Sequence, residues 1–186
     1  KSHCHGSCHM MKEMKKEDRN IAMWLGFSLG FARKDKRRRT KILLQQYFES
    51  LRSSWLETLT DRGIKFTINC PSDLKMRAFE IDFDSIFLNL LVNSIEAFKA
   101  SKEQVQRKVH VECFNKDNQV VIIYTDTGPG IPSHLVRPEV IFEPMYTTKR
   151  DSVGQEVGTG LGMWIIKVIA DEYQANLKLL TNASQA

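Results

Sequence analysis

The chain has 186 residues, 42% of them hydrophobic and 26% charged, with a formal net charge of +5. That size suits one ordinary domain with a short appendage, and the apolar share excludes global disorder. The longest uncharged stretch, residues 20–32, falls short of the about 20 apolar residues that a membrane helix needs.

Residues 1–10 contain His3, Cys4, His5, Cys8 and His9, which are zinc ligands by type, but no apolar content that could build a site around them. Running into a plausible start at Met10 or Met11, the stretch reads as an expression tag and is set apart from the fold. Residues 11–32 are helix-compatible, charged first and then apolar (Ile21, Met23, Trp24, Leu25, Phe27, Leu29, Phe31), with Gly26 and Gly30 weakening the pattern. So much aromatic surface requires something to pack on, a partner chain or a helix bundle. A basic run follows, from Arg33 to Arg39; without interleaved aromatics it reads as a solvated linker and no nucleic-acid partner is expected. Residues 11–40 are therefore expected to be a helical remnant and linker, which the family resemblance drawn below would make the end of a dimerisation helix, and residues 41–186 the folded domain.

Residues 41–60 predict one amphipathic helix, since Leu43, Leu44, Tyr47, Phe48, Leu51, Trp55, Leu56 and Leu59 recur at three- and four-residue spacing. Asp61-Arg62-Gly63 ends it. Residues 64–69 alternate as a strand stopped by Pro71, and residues 75–81 predict a second strand. Residues 82–100 form the next helix, with Asp82 or Asp84 as cap and Ile86, Phe87, Leu90, Leu91, Ile95 and Phe98 facing the core. Asn89, Asn93 and Glu96 line one stripe of it, and mid-helix asparagines that become buried need partners. Residues 108–114 predict a half-buried strand and residues 119–124 a central one, forming a hairpin that delivers Asp126 to the sheet's end. Residues 162–173 predict the last helix and 175–180 a final strand. Cys70 and Cys113 stand isolated in strand-like surroundings, which fits a reduced cytosolic setting without a disulfide framework. Intermixed helices and paired strands predict an α+β fold: a two-layer sandwich whose mixed, mostly antiparallel sheet carries helices on one face.

Two glycine clusters frame the connection after that hairpin. Asp126-Thr127-Gly128-Pro129-Gly130-Ile131 follows a strand, and Gly158-Thr159-Gly160-Leu161-Gly162-Met163 precedes a helix. Glycine lets backbone approach an anion, and amides at a helix start point positive ends toward it. The second cluster has neither the G-x-G-x-x-G spacing nor the preceding strand of a dinucleotide fold, and no Walker A sequence occurs. The four motifs taken together are more specific. Asn-Leu-Leu-Val-Asn-Ser-Ile-Glu-Ala (89–97), Asp-Thr-Gly-Pro-Gly-Ile (126–131), Ile-Phe-Glu-Pro-Met-Tyr-Thr-Thr-Lys (141–149) and Gly-Thr-Gly-Leu-Gly-Met (158–163) occur in one order. This combination strongly resembles the catalytic ATP-binding domain of sensor histidine kinases. More broadly it resembles the GHKL superfamily (Bergerat fold), which includes gyrase-type topoisomerases, heat-shock chaperone ATPases and mismatch-repair ATPases.

The resemblance and the chemistry assign the same roles. Asp126, an acceptor-only carboxylate, takes a hydrogen bond from the adenine amine. Gly128 and Gly130 clear space for the base, with Ile131 beside them. Asn93 offers a neutral oxygen to Mg2+, and Asn89, one turn away, supports the metal or a phosphate. Thr147, Thr148 and Lys149 reach phosphate from a flexible ATP lid, which Phe142 and Met145 anchor by packing. Gly158, Thr159, Gly160, Leu161, Gly162 and Met163 line the phosphate tail. Asn89, Asn93 and Lys149 are the candidate catalytic residues, and Asn93 the candidate metal ligand.

Hydrolytic members of the superfamily carry a glutamate base where this chain has Asn89, which cannot take a proton from water. Holding ATP for phosphoryl transfer is therefore favoured over fast hydrolysis. A histidine kinase also needs an acceptor histidine on a dimerising helix. His110 and His134 lack such flanks and are expected to be structural, so the acceptor domain and a response regulator are expected as partners in a cytoplasmic homodimer. The rival expectation is a non-kinase GHKL module whose nucleotide state switches dimerisation or an attached effector.

Overall fold

A computed structural model describes residues 39–100, 106–131, 137–147 and 158–180. The expected tag, the helical remnant of residues 11–38, His134, Thr148 and Lys149 lie outside the described residues. The chain divides into two compact units, the first Arg38–Val136 and the second containing Arg137–Ala186.

In the first unit, residues 40–43 depart from expectation. They form strand β1 (Thr40–Leu43), paired antiparallel with β3 (Lys75–Ala78) from Thr40 opposite Ala78 to Leu43 opposite Lys75. The β-branched Thr40 and Ile42 suit a strand, and the backbone partner that overrides the helical spacing was not visible locally. The helix begins only at α1 (Leu44–Ser54) and is offset at Trp55 (φ −105°, ψ 8°) before α2 (Leu56–Asp61). Leu56 falls outside the core as a result and is exposed. Gly63, at φ +62°, closes the helix end as the sequence implies. Its N–H donates to Thr60 O (3.0 Å) and that of Ile64 to Leu59 O (2.8 Å), the paired bonds of a Schellman motif. Strand β2 (Lys65–Asn69) follows.

The expected strand over 75–81 ends at Ala78, and helix α3 (Glu80–Ala100) starts two residues earlier than predicted. Asp82 is thus not a cap. It lies buried in the first turn, where the helix dipole favours an acidic side chain. Phe83, Phe87, Leu91, Ile95 and Phe98 are buried along one face. Phe87 meets Phe48 of α1 edge-to-face at 4.7 Å, and Tyr47 meets Phe83 at 5.3 Å, so an aromatic cluster joins the two helices. The Tyr47 hydroxyl donates to Asp84 (3.0 Å), the second residue expected to cap.

Strands β4 (Lys108–Lys116) and β5 (Gln119–Asp126) form the expected hairpin, longer than the pattern suggested. Asp117 and Asn118 both adopt positive φ (49° and 62°), the two-residue turn whose twist matches the strands. Val109, Val111 and Cys113 alternate into the core. Strand β2 joins β4 in parallel, Lys65 opposite Lys108, so the chain crosses over through β3 and α3. The sheet order is β2-β4-β5. Among the described residues the central strand is therefore β4 and not β5, whose apolar run is only half-buried. Its β-branched composition reports strand propensity without specifying a place in the sheet.

In the second unit, a 3-10 turn (Pro138–Phe142) packs against helix α4 (Gly162–Glu172). Gln174, at φ +52°, ends α4 through bonds from its N–H to Asp171 O (3.0 Å) and from Ala175 N–H to Ala170 O (2.8 Å). Residues 175–180, expected as a strand, make no ladder with the described residues. Alternation there marks two faces but names no pairing partner. The architecture is α+β with a mixed sheet, as expected.

Candidate functional site

The polar constellation of the first unit is built where α3 meets the end of β5. Asp126 is the last residue of β5, opposite Val109. Its Oδ1 accepts the Gly128 N–H (2.8 Å), closing a local turn, and its Oδ2 accepts the Ser94 hydroxyl (2.6 Å). Ser94 is 1% exposed, and its Oγ also lies 3.0 Å from the Tyr124 hydroxyl and 3.1 Å from Leu90 O. The carboxylate is therefore held at both oxygens, and each oxygen keeps lone-pair capacity for a further donor. A Cβ on Gly128 would stand 2.8 Å from Asp126 Oδ1 and 3.4 Å from Ala97 Cβ, so the turn needs a residue without a side chain. Gly130 has φ +71° with open space around it, and Ile131 is half-buried. Thr127 ties the turn to the next strand by donating to Gln106 O (2.7 Å) and accepting from Lys108 N–H (2.9 Å).

Asn93 immediately precedes Ser94 on α3 and is half-buried; Asn89 lies one turn earlier. Asn89 donates through Nδ2 to Ser85 O (2.6 Å), which leaves its oxygen as the atom not spent on the helix backbone. An implied Mg2+ fits this chemistry, because it takes oxygen donors and few protein ligands when phosphates supply the rest. Glu96, the third member of the stripe, is exposed. Among the described residues no three His, Cys, Asp or Glu side chains form a metal-holding cluster.

In the second unit, the glycine run packs backbone to backbone on the segment that precedes Thr147. Gly160 (φ +64°) has Met145 C 2.5 Å, Tyr146 O 2.7 Å and Met145 O 2.8 Å from where a Cβ would be. Met145 itself holds a left-handed φ of 65°, a conformation that costs a non-glycine residue energy. Phe142, Met145 and Thr147 are half-buried. The Leu161 side chain is buried, and its N–H donates to Thr159 Oγ1 (3.3 Å). Gly162 opens α4, which has no side-chain cap, with Met163 in the first turn.

Two members of the first constellation escaped sequence reasoning. Ser94 falls in line with Phe87, Leu91 and Phe98 at three- and four-residue spacing, so a hydroxyl at a core position was the signal. Tyr124 shares a strand face with Asp126 by period two. Burial pushes the Tyr124 phenol well above its ordinary range; the Ser94 bond opposes this and the Asp126 charge adds to it. His110 bonds Thr67 Oγ1 through Nδ1 (2.8 Å) across paired strands, a structural role as expected. Cys70 and Cys113 are free but not isolated. Asn69 opposite Glu112 places the next residues, Cys70 and Cys113, side by side, and the Cys70 thiol donates to Pro71 O (3.6 Å).

The family model described as "Histidine kinase-, DNA gyrase B-, and HSP90-like ATPase" matches residues 79–185, a span containing all four motifs. The chain belongs to this ATPase family. It is 30% identical over 131 residues to the adaptive-response sensory kinase SasA of Microcystis aeruginosa, covering 70% of this chain and 32% of that protein. It is 34% identical over 112 residues to hybrid signal transduction histidine kinase D of Dictyostelium discoideum, covering 58% of this chain and 7% of that protein. Among solved structures, the catalytic domain of histidine kinase ThkA aligns with a TM-score of 0.58 at 27% identity, over 73% of this chain and 84% of that one. This ATPase-family chain thus has the GHKL fold that its motifs implied, and it spans a third or less of these curated relatives. No helix among the described residues is long and apolar enough to cross a membrane.

Proposed function

We propose that the chain binds Mg-ATP and serves as the catalytic domain of a two-component sensor histidine kinase, passing the γ-phosphoryl group to a histidine on a dimerisation domain. The observation that best supports this reading is the bond from Ser94 to Asp126, which sets a doubly held carboxylate beside the helix of Asn89 and Asn93. On this reading Asp126 accepts from the adenine amine next to Gly128, Gly130 and Ile131. Asn93, assisted by Asn89, holds Mg2+, which neutralises phosphate charge when bound. Gly158, Thr159, Gly160, Leu161, Gly162 and Met163 act on the triphosphate through backbone amides, and Thr147, Thr148 and Lys149 contact it from the lid. Asn89 supplies no base for water, so ATP is kept for transfer.

The partners required are a phosphoacceptor histidine domain, in trans or elsewhere in a longer protein, and a response regulator. The reading also implies a homodimer and a cytoplasmic setting, with no nucleic-acid partner. A non-kinase switch module is the second reading. It is favoured by His110, the histidine among the described residues, being bound to Thr67 on a strand. Incubation with γ-labelled ATP and a separately supplied dimerisation domain tests both. Label on a histidine supports the kinase; nucleotide-dependent dimerisation without transfer supports the switch.

A further inference from the structure

The hydroxyl of Ser94 has one proton and three oxygen neighbours: Asp126 Oδ2 at 2.6 Å, Tyr124 Oη at 3.0 Å and Leu90 O at 3.1 Å. Two of these accept only, and the carboxylate contact is the shortest, at the length of a charge-assisted O–H···O⁻ bond. The proton therefore points at Asp126, and the Tyr124 contact is satisfied when the phenol donates to Ser94 Oγ.

We propose that Tyr124 and Ser94 form a one-way hydrogen-bond relay, Tyr124 O–H to Ser94 O–H to Asp126, that keeps Asp126 an acceptor and so selects 6-amino over 6-oxo purine nucleotides. The inference rests on the ATP reading and extends it to a residue that does not touch the base. Tyr124 acts through Ser94 and is a positioning residue. The phenol is suited to the task because burial keeps it protonated far above neutral pH. The Gly128 N–H occupies Oδ1 with the same polarity, so every protein group reaching the carboxylate among the bonds described donates to it. Without Tyr124 the Ser94 hydroxyl is no longer polarised and is shared between Asp126 and Leu90 O, its helix carbonyl four residues back. The carboxylate then stays anchored at Oδ1 by Gly128 but is held less firmly at Oδ2, which lowers the penalty that a 6-oxo group meets when its lone pairs face another acceptor.

The experiment measures Mg-ATP and Mg-ITP affinity, by calorimetry, for the parent chain, Tyr124→Phe and Ser94→Ala; the two nucleotides differ at the purine 6-position. Tyr124→Phe is expected to weaken ATP binding about 5-fold, the equivalent of one hydrogen bond, while ITP binding holds, so that the ITP/ATP ratio shrinks by that factor. Ser94→Ala should shrink it at least as much and covers the case in which Tyr124→Phe fails to fold. A loss equal for both nucleotides, or an unchanged ratio in both variants, would overturn the relay while leaving the ATP reading standing. A parent chain that binds neither nucleotide would sink that reading and the relay together.

Discussion

Gly160→Ala tests whether the glycine run, a candidate ligand loop, is also a packing element. Gly160 sits at φ +64°, where an alanine costs about 1–2 kcal/mol by Cβ–carbonyl crowding alone. Gly63 at φ +62° meets the same penalty, yet its Cβ would find nothing within 4 Å. At Gly160 the new methyl would be 2.5 Å from Met145 C and 2.7 Å from Tyr146 O, both backbone atoms that cannot rotate away. Relieving that overlap requires moving the Met145–Tyr146 backbone, at an overpacking cost of about 1–3 kcal/mol more. The two substitutions thus share the conformational term and differ in the steric one. Urea denaturation of both variants, followed by fluorescence and circular dichroism, should give a loss of about 2–5 kcal/mol for Gly160→Ala against about 1–2 kcal/mol for Gly63→Ala. Equal losses would show that the backbone contact does not constrain the loop, and would refute the reasoning.

Gln174 closes α4 in a left-handed conformation that glycine adopts without penalty, so Gln174→Gly should raise stability by about 1 kcal/mol, read as a higher melting temperature. Burial raises the Cys113 thiol above its ordinary 9.0, with Cys70 and Glu112 adding to the shift; Tyr47 is raised above 10.0 by burial and then by Asp84. The unfolded chain loses these protons first, so stability is full below about pH 9 and falls as pH rises beyond it, by up to about 1.4 kcal/mol per pH unit and group. Tyr47→Phe should flatten the decline above pH 10 in melting curves, and an unchanged slope would count against the assignment. Asp126→Asn replaces one acceptor oxygen by a donor and should weaken ATP binding, whereas Asn93→Ala should chiefly abolish the magnesium dependence of that binding. Calorimetry with and without Mg2+ separates the two, and parental affinity in both variants would sink the assigned roles.

What the sequence disclosed depended on how local each signal was. The helix end at Gly63, the hairpin of residues 108–126 and the alternation of Val109, Val111 and Cys113 are set by neighbouring residues and all three form, the hairpin with longer strands than expected. At residues 41–43 helical spacing and strand pairing compete, and the deciding partner, β3, begins more than thirty residues away. The missing ladder of residues 175–180 fails for the same reason, since a period-two pattern cannot name what it pairs with.

The candidate site divides along the same line. Asp126 and the asparagines were legible because their residue types are unusual for their positions: a carboxylate ending an apolar strand, and amides inside an apolar helix. Ser94 was passed over because serine is common everywhere, although its place among Phe87, Leu91 and Phe98 put a hydroxyl at the core. A buried hydroxyl on a helix can satisfy itself on the carbonyl four residues back, and Ser94 has that option in Leu90 O at 3.1 Å. Its shorter bond instead runs across to Asp126, and a contact between residues 32 apart in sequence is visible only once α3 lies against β5. The contacts of the carboxylate are thus set by a tertiary bond that competes with a local one, which is why the candidate ligand-binding residue Asp126 was legible and the residues bonded to it were not.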